Sequence, residues 1–367
     1  MRKAFKYRLR PTAKQATTLA LHLEECRMLY NHLVVDRIQA YQDRGESLSL
    51  YDQQSRLPFL KTDRPTLAGV HSQVLQNVAV RVDWAFQAFF RRCKDGGEKP
   101  GFPRFKGAGR YDSLTYPQAT AFRLDDKGLR LAKIGCLRGV WSRPLEGTPK
   151  TCTVRRAATG KWYVTIVCEV ESHQPLPKSD EVVGIDVGLS KFATLSNGET
   201  IANPRFFRKD EKALAKANRS LSKQPKGSPE RKKARKVVAR VHERIRFRRH
   251  NFSHQLARRL VNRFGLIAVE ALNVNGMVQN RCLSKSIADA AWSQLRQVLS
   301  YKAEEAGRTL VAVNPAYTSQ DCSDCGHRLR KALSQRRHEC PCCGLDIDRD
   351  ENAARNICRL GLQSAAA

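Results

Sequence analysis

The chain has 367 residues, of which 66 are Lys or Arg and 35 are Asp or Glu, so its formal net charge is +31. At about 150 residues per domain this length predicts two or three domains, and the 41% of hydrophobic residues indicates that most of the chain folds. On a folded chain this excess of positive charge favours nucleic acid as the partner. No apolar run approaches the roughly 20 residues of a membrane span, which argues against a membrane protein. The basic N-terminus lacks the apolar core of a signal peptide, which argues against a secreted protein, so we expect a cytoplasmic one.

A strand, two helices and a further group of strands are predicted in the N-terminal half. Residues 3–9 alternate apolar and basic side chains, which indicates a strand. Apolar residues at helical spacing then predict helices over residues 12–43 and 72–93. Strand patterns return between residues 121 and 170, most clearly at 151–156 and 162–170. This order predicts a small β-barrel or sheet with helices inserted near its start.

The segment 96–109 (GGEKPGFPRFKGAG) is rich in Gly and Pro, so an irregular conformation is predicted. Within it, rings and charges alternate at Phe102, Arg104, Phe105 and Lys106. This alternation suits stacking on bases and pairing with phosphates. A loop pinned by two buried phenylalanines would account for the same pattern.

A linker is predicted at residues 174–180, where two prolines flank an abrupt change of pattern. Short strands at 182–186, 192–195 and 200–202 precede a long basic segment that runs to about residue 264. Within 228–250, ten Lys or Arg stand against two Glu, and an apolar stripe predicts an amphipathic helix. The charge favours phosphate contact through Arg240, Arg244 and Arg248, although such a run is often only a solvated face.

Two Cys-x-x-Cys-Gly motifs lie fourteen residues apart, in a stretch that holds six of the twelve cysteines. Four thiolates at this spacing can surround one structural Zn²⁺ and leave no position for water. The shared position of the trailing glycine selects Cys343 rather than Cys342 as the fourth ligand. The alternatives are buried free cysteines, or a site in which His327 or His338 replaces one ligand. The predicted ligands are Cys322, Cys325, Cys340 and Cys343.

Three acids outside these motifs stand at the ends of predicted elements. Asp186 and Glu270 each end an apolar strand, and Asp350 stands at the start of a predicted final helix. Carboxylate oxygens bind Mg²⁺ or Mn²⁺, and two such ions about 4 Å apart can activate water and stabilise the leaving oxygen of a phosphodiester. The spacing does not show that the three acids converge, since a single acid at a strand end is more often a turn or cap residue.

Several segments in fixed order resemble the TnpB (OrfB) family of insertion-sequence proteins, which are similar to the ancestors of type V CRISPR effectors. The resemblance covers nearly the whole chain, and the family's members are RNA-guided DNA endonucleases. The matching segments are 3–31 (KAFKYRLRPTAKQ…ECRMLYN), 85–106 (AFQAFFRRCK…KPGFPRFK), 184–198 (GIDVGLSKFATLSNG), 269–277 (VEALNVNGM), 284–295 and the tail CxxC…CxxC…DRDENAARN.

The resemblance implies a multidomain α/β fold. A wedge β-barrel with a helical recognition insert precedes an RNase H-like nuclease domain of the RuvC type, which a four-cysteine zinc module interrupts. The implied boundaries are 1–11 and 96–178 for the wedge, 12–95 for the helical insert, 179–320 and 346–361 for the nuclease domain, 321–345 for the zinc module and 362–367 for a tail.

The resemblance also implies the catalytic residues. Asp186, Glu270 and, within the DRDxN motif, Asp350 are expected to hold two Mg²⁺ or Mn²⁺ ions, with Asp348 as the alternative third acid. The family commonly has Asp after the glutamate, whereas Ala271 follows here. Since that neighbour is not one of the three acids, we expect the site to tolerate the change.

The implied function is RNA-guided cleavage of DNA. A guide RNA from the same element is expected to pair with one strand of a double-stranded DNA target, while the protein reads a short flanking motif, in part through Gln76. No protein partner is implied, and the expected location is the nucleoid of a prokaryotic cytoplasm. The alternatives are a nuclease-inactive RNA-guided regulator, a transposase that acts without guide RNA, and a basic zinc protein that coats nucleic acid without chemistry.

Overall fold

The computed structural model describes residues 1–95, 100–171, 175–332 and 334–366. The chain divides into two units, Met1–Ser172 and His173–Ala367, and the finer domain boundaries stay predictions. The predicted irregular segment, linker, zinc module and tail each include positions outside the described ranges, namely 96–99, 174, 333 and 367. No helix in these ranges combines the length and the apolar character that a membrane crossing needs.

Helices form most of the first unit between residues 13 and 94. They are α1 Ala13–Arg44, α2 Leu50–Ser55, α3 Leu57–Asp63 and α4 Ser72–Lys94. Helix α1 begins after Thr12, whose hydroxyl accepts the backbone N–H of Gln15 while the Gln15 side chain accepts that of Thr12, a capping box. Helices α1 and α4 match the two predicted helices to within a residue at each end. Helices α2 and α3 were not predicted, because six or seven residues are too few to show a helical period.

Two antiparallel sheets complete the first unit. Their strands are β1 Arg2–Leu9, β2 Ser113–Tyr116, β3 Phe122–Asp125, β4 Gly128–Leu131, β5 Gly135–Leu137, β6 Gly139–Val140, β7 Thr148–Arg156 and β8 Trp162–Glu169. The orders are β2-β7-β8-β1-β6 and β3-β4-β5. Strand β1 pairs with β8 along its whole length. The helices therefore lie, in the sequence, between two strands that are neighbours in one sheet. Closure of these sheets into a barrel stays a prediction.

A mixed five-stranded sheet lies at the centre of the second unit. Its strands are β9 Val182–Val187, β10 Lys191–Leu195, β11 Thr200–Ala202, β12 Leu266–Glu270 and β13 Thr309–Val313. In the order β11-β10-β9-β12-β13, the last three strands run parallel and the first two antiparallel to their neighbours. The other elements are α5 Phe206–Ser222, α6 Pro229–Arg263, α7 Val274–Met277, α8 Ser284–Ala290, α9 Trp292–Ala306, β14 Arg337–Glu339, β15 Asp346–Asp348 and α10 Arg349–Ala366.

The long basic segment forms two helices, α5 and α6, rather than one. Pro225 and Gly227 lie in the turn between them, where neither residue favours a helix interior. The Ser228 hydroxyl accepts the backbone N–H of Arg231 at 3.1 Å and caps α6. The predicted amphipathic helix is therefore α6.

Strand alternation places Asp186 and Glu270 on the same side of the central sheet. Gly184 and Ala268, two residues before the acids, face α10, which approaches so closely that the Ala354 carbonyl abuts Gly184. The opposite face of the sheet is apolar and packs on α6 and α9. Helix α10 therefore covers the side of the sheet that carries the acids.

Gly184→Ala is expected to destabilise the second unit, because an added Cβ would meet the Ala354 carbonyl and stand 2.8 Å from Cys358 Cβ. Overpacking of this kind costs about 1–3 kcal/mol, which lowers the thermal midpoint by several degrees. Gly69→Ala is the control, since no described heavy atom lies within 4 Å of its added Cβ. Equal midpoints for the two variants in thermal unfolding would contradict this account of the α10 contact.

Candidate active site and zinc knuckle

Asp186 and Glu270 stand level at the carboxyl ends of two neighbouring parallel strands. The register pairs Ile185 of β9 with Val269 of β12, so the acids that follow these two residues are cross-strand neighbours. Parallel strands lie about 4.8 Å apart, which brings the two carboxylates close together. Asp350 stands in the first turn of α10, on the same side of the sheet. Topology thus gathers three acids that are far apart in the sequence.

A cavity of about 460 Å³ contains all three acids. Its lining residues are Asp186, Glu270, Leu272, Pro315, Thr318, Ser319, Arg336, Arg349 and Asp350. Three carboxylates fit hard divalent cations, which prefer oxygen ligands. In the described part of the chain, the carboxylate oxygens of the three acids do not all lie within 4.8 Å of one another, whereas the sulfurs of the four cysteines described below do.

The cavity penalises negative charge while no cation is bound. Burial raises the pKa of Asp186 to about 8, and the charges of Glu270 and Asp350 act in the same direction. Burial also raises the pKa of Glu270, although the hydroxyl of Thr318 opposes this by hydrogen bonding to its carboxylate. Burial therefore favours the protonated forms of Asp186 and Glu270, and a divalent cation would compete with those protons.

Asp350 lines the cavity, whereas Asp348 supports the helix start. One carboxylate oxygen of Asp348 accepts the backbone N–H of Asp350 at 2.8 Å, and the other pairs with the Lys191 ammonium at 2.9 Å. Asp348 is not among the residues that line the cavity. The geometry therefore favours Asp350 over Asp348 as the third acid of the site.

Asp186→Asn is expected to stabilise the metal-free protein. Because folding raises the pKa of Asp186 from 3.8 to about 8, its stabilising contribution is complete below pH 4 and is lost as the pH rises to 8. In buffer without added divalent cations, which leaves the structural zinc in place, we expect the variant to gain several kcal/mol of unfolding free energy at pH 8, up to about 6 for a pKa raised from 3.8 to about 8, and nothing at pH 4. Saturating Mg²⁺ should raise the wild-type midpoint more than that of the variant. A pH-independent difference would contradict the burial argument.

Four cysteine sulfurs form a compact cluster in the second unit. The Sγ atoms of Cys322, Cys325, Cys340 and Cys343 lie within 4.8 Å of one another. The separations Cys322–Cys343 and Cys325–Cys340 are 3.6 and 3.5 Å, close to the edge of a tetrahedron with Zn–S bonds of about 2.3 Å. The cluster fits one structural zinc, and its residues, with the turns around them, are here called the zinc knuckle (residues 321–345).

The residues that could have replaced a cysteine ligand lie outside the cluster. Cys342 is exposed, and neither His327 nor His338 belongs to the group. His338 is fully buried, and its Nδ1 contacts the Lys331 ammonium instead. Each pair is followed by a glycine with positive φ, Gly326 at 76° and Gly344 at 75°. These two glycines make the turns beneath the sulfurs possible.

Four of the five predicted nucleic-acid residues of the first unit are exposed, and Lys106 is half-buried. Gln76 is exposed on α4, and Arg104 is exposed in the loop. Phe102 and Phe105 are 43% and 58% exposed, so the alternative of a loop pinned by two buried phenylalanines is wrong. The loop is held by the Phe102 ring, which stacks on Phe89 with centroids 5.0 Å apart, and by the Lys106 backbone, which exchanges hydrogen bonds with the Asn31 side chain.

The three predicted arginines of α6 differ in their surroundings. Arg240 is exposed on the helix surface. Arg244 and Arg248 both pair with Asp210 of α5, at 2.5 and 3.1 Å, and Asp210 is itself buried. Their ion pairs with Asp210 therefore also hold α6 against α5, a role that was not predicted from the sequence.

Several residues near the site escaped the sequence analysis. Thr318 donates a hydrogen bond to Glu270 Oε1 at 2.7 Å, and the side chains of Arg336 and Arg349 line the cavity. Asn352 and Asn356 of α10 bind the backbone of residues 318–323. The sequence does contain a signal for these two contacts: the DRDENAARN motif has two asparagines four residues apart, and residues at that spacing share one helix face.

Three family models match separate parts of the chain. The OrfB/IS605 model, described as "Probable transposase", matches residues 165–281, and the Cas12f1-like TNB domain matches residues 292–357. A model described as a helix-turn-helix domain matches residues 1–46, which here form β1 and the single long helix α1. The second match includes the zinc knuckle and Asp350.

Relatives with similar sequences span nearly the whole chain. A protein of Streptomyces pristinaespiralis is 38% identical over 373 residues, 100% of this chain and 91% of its own, and one of Escherichia coli K12 is 31% identical, covering 98% and 92%. Both carry the name "Putative RNA-guided DNA endonuclease", the second with the suffix InsQ. A solved structure of the mini-RNA-guided endonuclease CRISPR-Cas_phi3 is 10% identical and covers 99% of this chain and 92% of its own with a TM-score of 0.53, a likeness of fold.

Proposed function

Because this chain belongs to the TnpB (OrfB) family, we propose that it is an RNA-guided, Mg²⁺-dependent DNA endonuclease of a transposable element, which cuts DNA beside a short flanking motif with one RuvC-type active site. One observation carries the proposal: three acids from distant parts of the sequence line a single cavity. A nuclease-inactive relative would be expected to lack one or more of them. The proposed place of action is nucleoid DNA in a prokaryotic cytoplasm.

In this proposal Asp186, Glu270 and Asp350 hold the divalent ions. Two bound Mg²⁺ ions would activate water and stabilise the leaving oxygen of the scissile phosphodiester. The acids would fix the positions of the divalent ions. Arg336 and Arg349, which also line the cavity, offer further positive charge to a phosphate. A mixed sheet with two acids on adjacent central strands supports the RuvC-type assignment.

A second cavity lies beside the acid cavity, on the face of the sheet that packs on α9, and we propose that it receives a DNA strand. This cleft of about 750 Å³ lies between the sheet and α9, and it shares Glu270 and Leu272 with the acid cavity. Its lining mixes apolar residues with polar ones, among them Asn273, Asn275, Arg296, Gln297 and Tyr301. Such a mixture suits a single strand, whose bases are apolar on their faces and whose backbone is charged.

Guide RNA and target DNA are the proposed partners, and the formal net charge of +31 supports them. RNA would read the sequence by base pairing, so the protein need only hold the duplex backbone and read the flanking motif. The proposed contacts are the exposed residues Gln76, Phe102, Arg104, Phe105 and Arg240 and the half-buried Lys106. Arg244 and Arg248, which also pair with Asp210, are proposed as further contacts.

The experiment begins with purification of the protein from its native host and sequencing of the RNA that copurifies. A plasmid library that carries the matching target beside randomised positions is then incubated with the complex, with or without added Mg²⁺. We expect cuts at a defined position that require Mg²⁺, an intact RNA and one flanking motif.

Other outcomes would identify the alternatives. Specific binding of the target without any cut would indicate a nuclease-inactive regulator. Strand joining by RNase-treated protein would indicate a transposase that acts without a guide. Coating of DNA without sequence preference or cleavage would leave only a basic zinc protein.

A further inference from the structure

A single hydroxyl group holds the carboxylate of Glu270. Thr318 Oγ1 donates a hydrogen bond to Glu270 Oε1 at 2.7 Å, and only 5% of Thr318 is exposed, so bulk water cannot replace this donor. The last side-chain torsion of glutamate is broad and roughly twofold. A hydrogen bond at one carboxylate oxygen restricts that torsion and fixes where the other oxygen can lie.

Thr318 is held in turn by a clamp of two asparagines, Asn352 and Asn356, on α10. Asn356 Nδ2 donates to the carbonyl oxygens of Thr318 and Asp321, at 2.9 and 2.7 Å. Asn352 Nδ2 donates to the Asp321 carbonyl at 2.8 Å, and its Oδ1 accepts the Ser323 N–H at 2.9 Å. Both asparagines are buried, so their hydrogen bonds are shielded from water.

The clamped segment also contains the first cysteine of the zinc knuckle. Cys322 lies between the two residues whose backbone Asn352 binds, and it is fully buried. Residues 318–323 therefore join three features: the hydroxyl on Glu270, a sulfur of the cysteine cluster and the helix that carries Asp350. No member of this segment needs to touch DNA to influence the acids.

We propose that Thr318 is a positioning residue that orients the Glu270 carboxylate for the divalent metal, and that the asparagine clamp and the zinc knuckle together hold Thr318 in place. The inference rests on the proposed function, because it gives Glu270 a role in metal binding. The proposal connects the structural zinc with the catalytic ions through one hydroxyl group, that of Thr318.

A purely structural role for Thr318 is the competing explanation. The hydroxyl also lies 3.1 Å from the Pro315 carbonyl, which can accept its single hydrogen. If the bond to Pro315 is what matters, loss of the hydroxyl would affect the loop and not the metal. Metal affinity separates the two roles, because packing alone does not move it at constant fold.

The test compares Thr318→Val, which keeps the shape and removes the hydroxyl, with Thr318→Ser, which keeps the hydroxyl and removes a methyl group. Mn²⁺ binding to each protein–RNA complex is measured from the loss of the free-ion signal in electron paramagnetic resonance. The Mg²⁺ concentration for half-maximal cleavage, the zinc content and the thermal midpoint are measured on the same samples.

For Thr318→Val we expect about a tenfold weaker Mn²⁺ affinity and a matching rise in the Mg²⁺ requirement, as for other groups that orient metal ligands. Thr318→Ser should stay within about threefold of wild type, and both variants should keep one zinc. Wild-type metal affinity in Thr318→Val, or equal losses in the two variants, would overturn the inference. Failure of the proposed function is distinct, since it would appear as a wild-type complex that binds Mn²⁺ and does not cut.

Discussion

Replacing Asp186 by Asn is expected to slow DNA cleavage by about a thousandfold or more, while guide RNA and target DNA still bind. The same result is expected for Glu270→Gln and Asp350→Asn, because each change removes one negative charge from the cavity that the three acids line. A thousandfold loss equals about 4 kcal/mol of transition-state stabilisation. Charges that hold a metal at a reacting phosphate supply energies of this order.

Asp348→Asn is the matched control, because Asp348 stands two positions from Asp350 and outside the cavity lining. An asparagine oxygen can still accept the Asp350 N–H that the Asp348 carboxylate accepts now. Only the ion pair with Lys191 is lost, and both of its members are partly exposed. We expect cleavage within about tenfold of wild type.

Single-turnover cleavage at saturating Mg²⁺ measures the rates, and filter binding measures the affinity for target DNA. A wild-type rate in Asp186→Asn would remove the active-site assignment. A severe loss in Asp348→Asn with little loss in Asp350→Asn would move the third ligand to Asp348.

The sequence indicates where each acid stands on its element, but local patterns do not show that the acids meet. Apolar runs mark the strands that end in Asp186 and Glu270, and the start of the final helix is evident at Asp350. Their meeting depends on β9 pairing in parallel with β12, across more than 70 intervening residues that form other strands and two long helices. No spacing rule encodes that pairing, and only the family resemblance implied it.

Local chemistry was more informative than long-range pairing. The cysteine spacing and the glycine after each pair selected the four sulfurs that cluster, and Cys342 stands outside them. Hydroxyl and amide caps likewise mark the start of α1 at Thr12 and of α6 at Ser228. These features depend on residues within a few positions of one another, so a pattern in the sequence can carry them.

The interactions that the sequence analysis missed join side chains of distant segments. Arg244 and Arg248 belong to a basic stripe in the sequence, and yet Asp210 on another helix already pairs with both. Thr318 is one of several hydroxyl residues beside the zinc motif, and its bond to Glu270 follows from how residues 318–323 lie against α10 and β12. Charge and motif searches identify candidate groups, whereas their partners come from the fold.

Loss of one zinc ligand is expected to slow cleavage strongly, although no cysteine of the described residues lines the acid cavity. Cys340→Ser should reduce the zinc content from one per chain to well below one. Structural zinc contributes apparent binding energies of about 10–16 kcal/mol, as large as the total stability of a domain, so the zinc knuckle should unfold without it. Residues 318–323 would then lose one of their anchors, and we expect cleavage to fall by about a hundredfold or more.

Cys342→Ser is the matched control, because this exposed cysteine lies between two ligands in the sequence and outside the cluster. We expect it to keep one zinc, to unfold within about 2 °C of wild type and to cut at the wild-type rate. Zinc content by mass spectrometry, thermal unfolding and cleavage at saturating Mg²⁺ are compared on the same samples. Zinc-free Cys340→Ser protein that still cuts at the wild-type rate would separate the knuckle from the acids. Loss of zinc together with cleavage, while guide RNA stays bound, would instead support a link between the zinc knuckle and the acid cavity, as the hydrogen bonds from Thr318 and Asn356 predict.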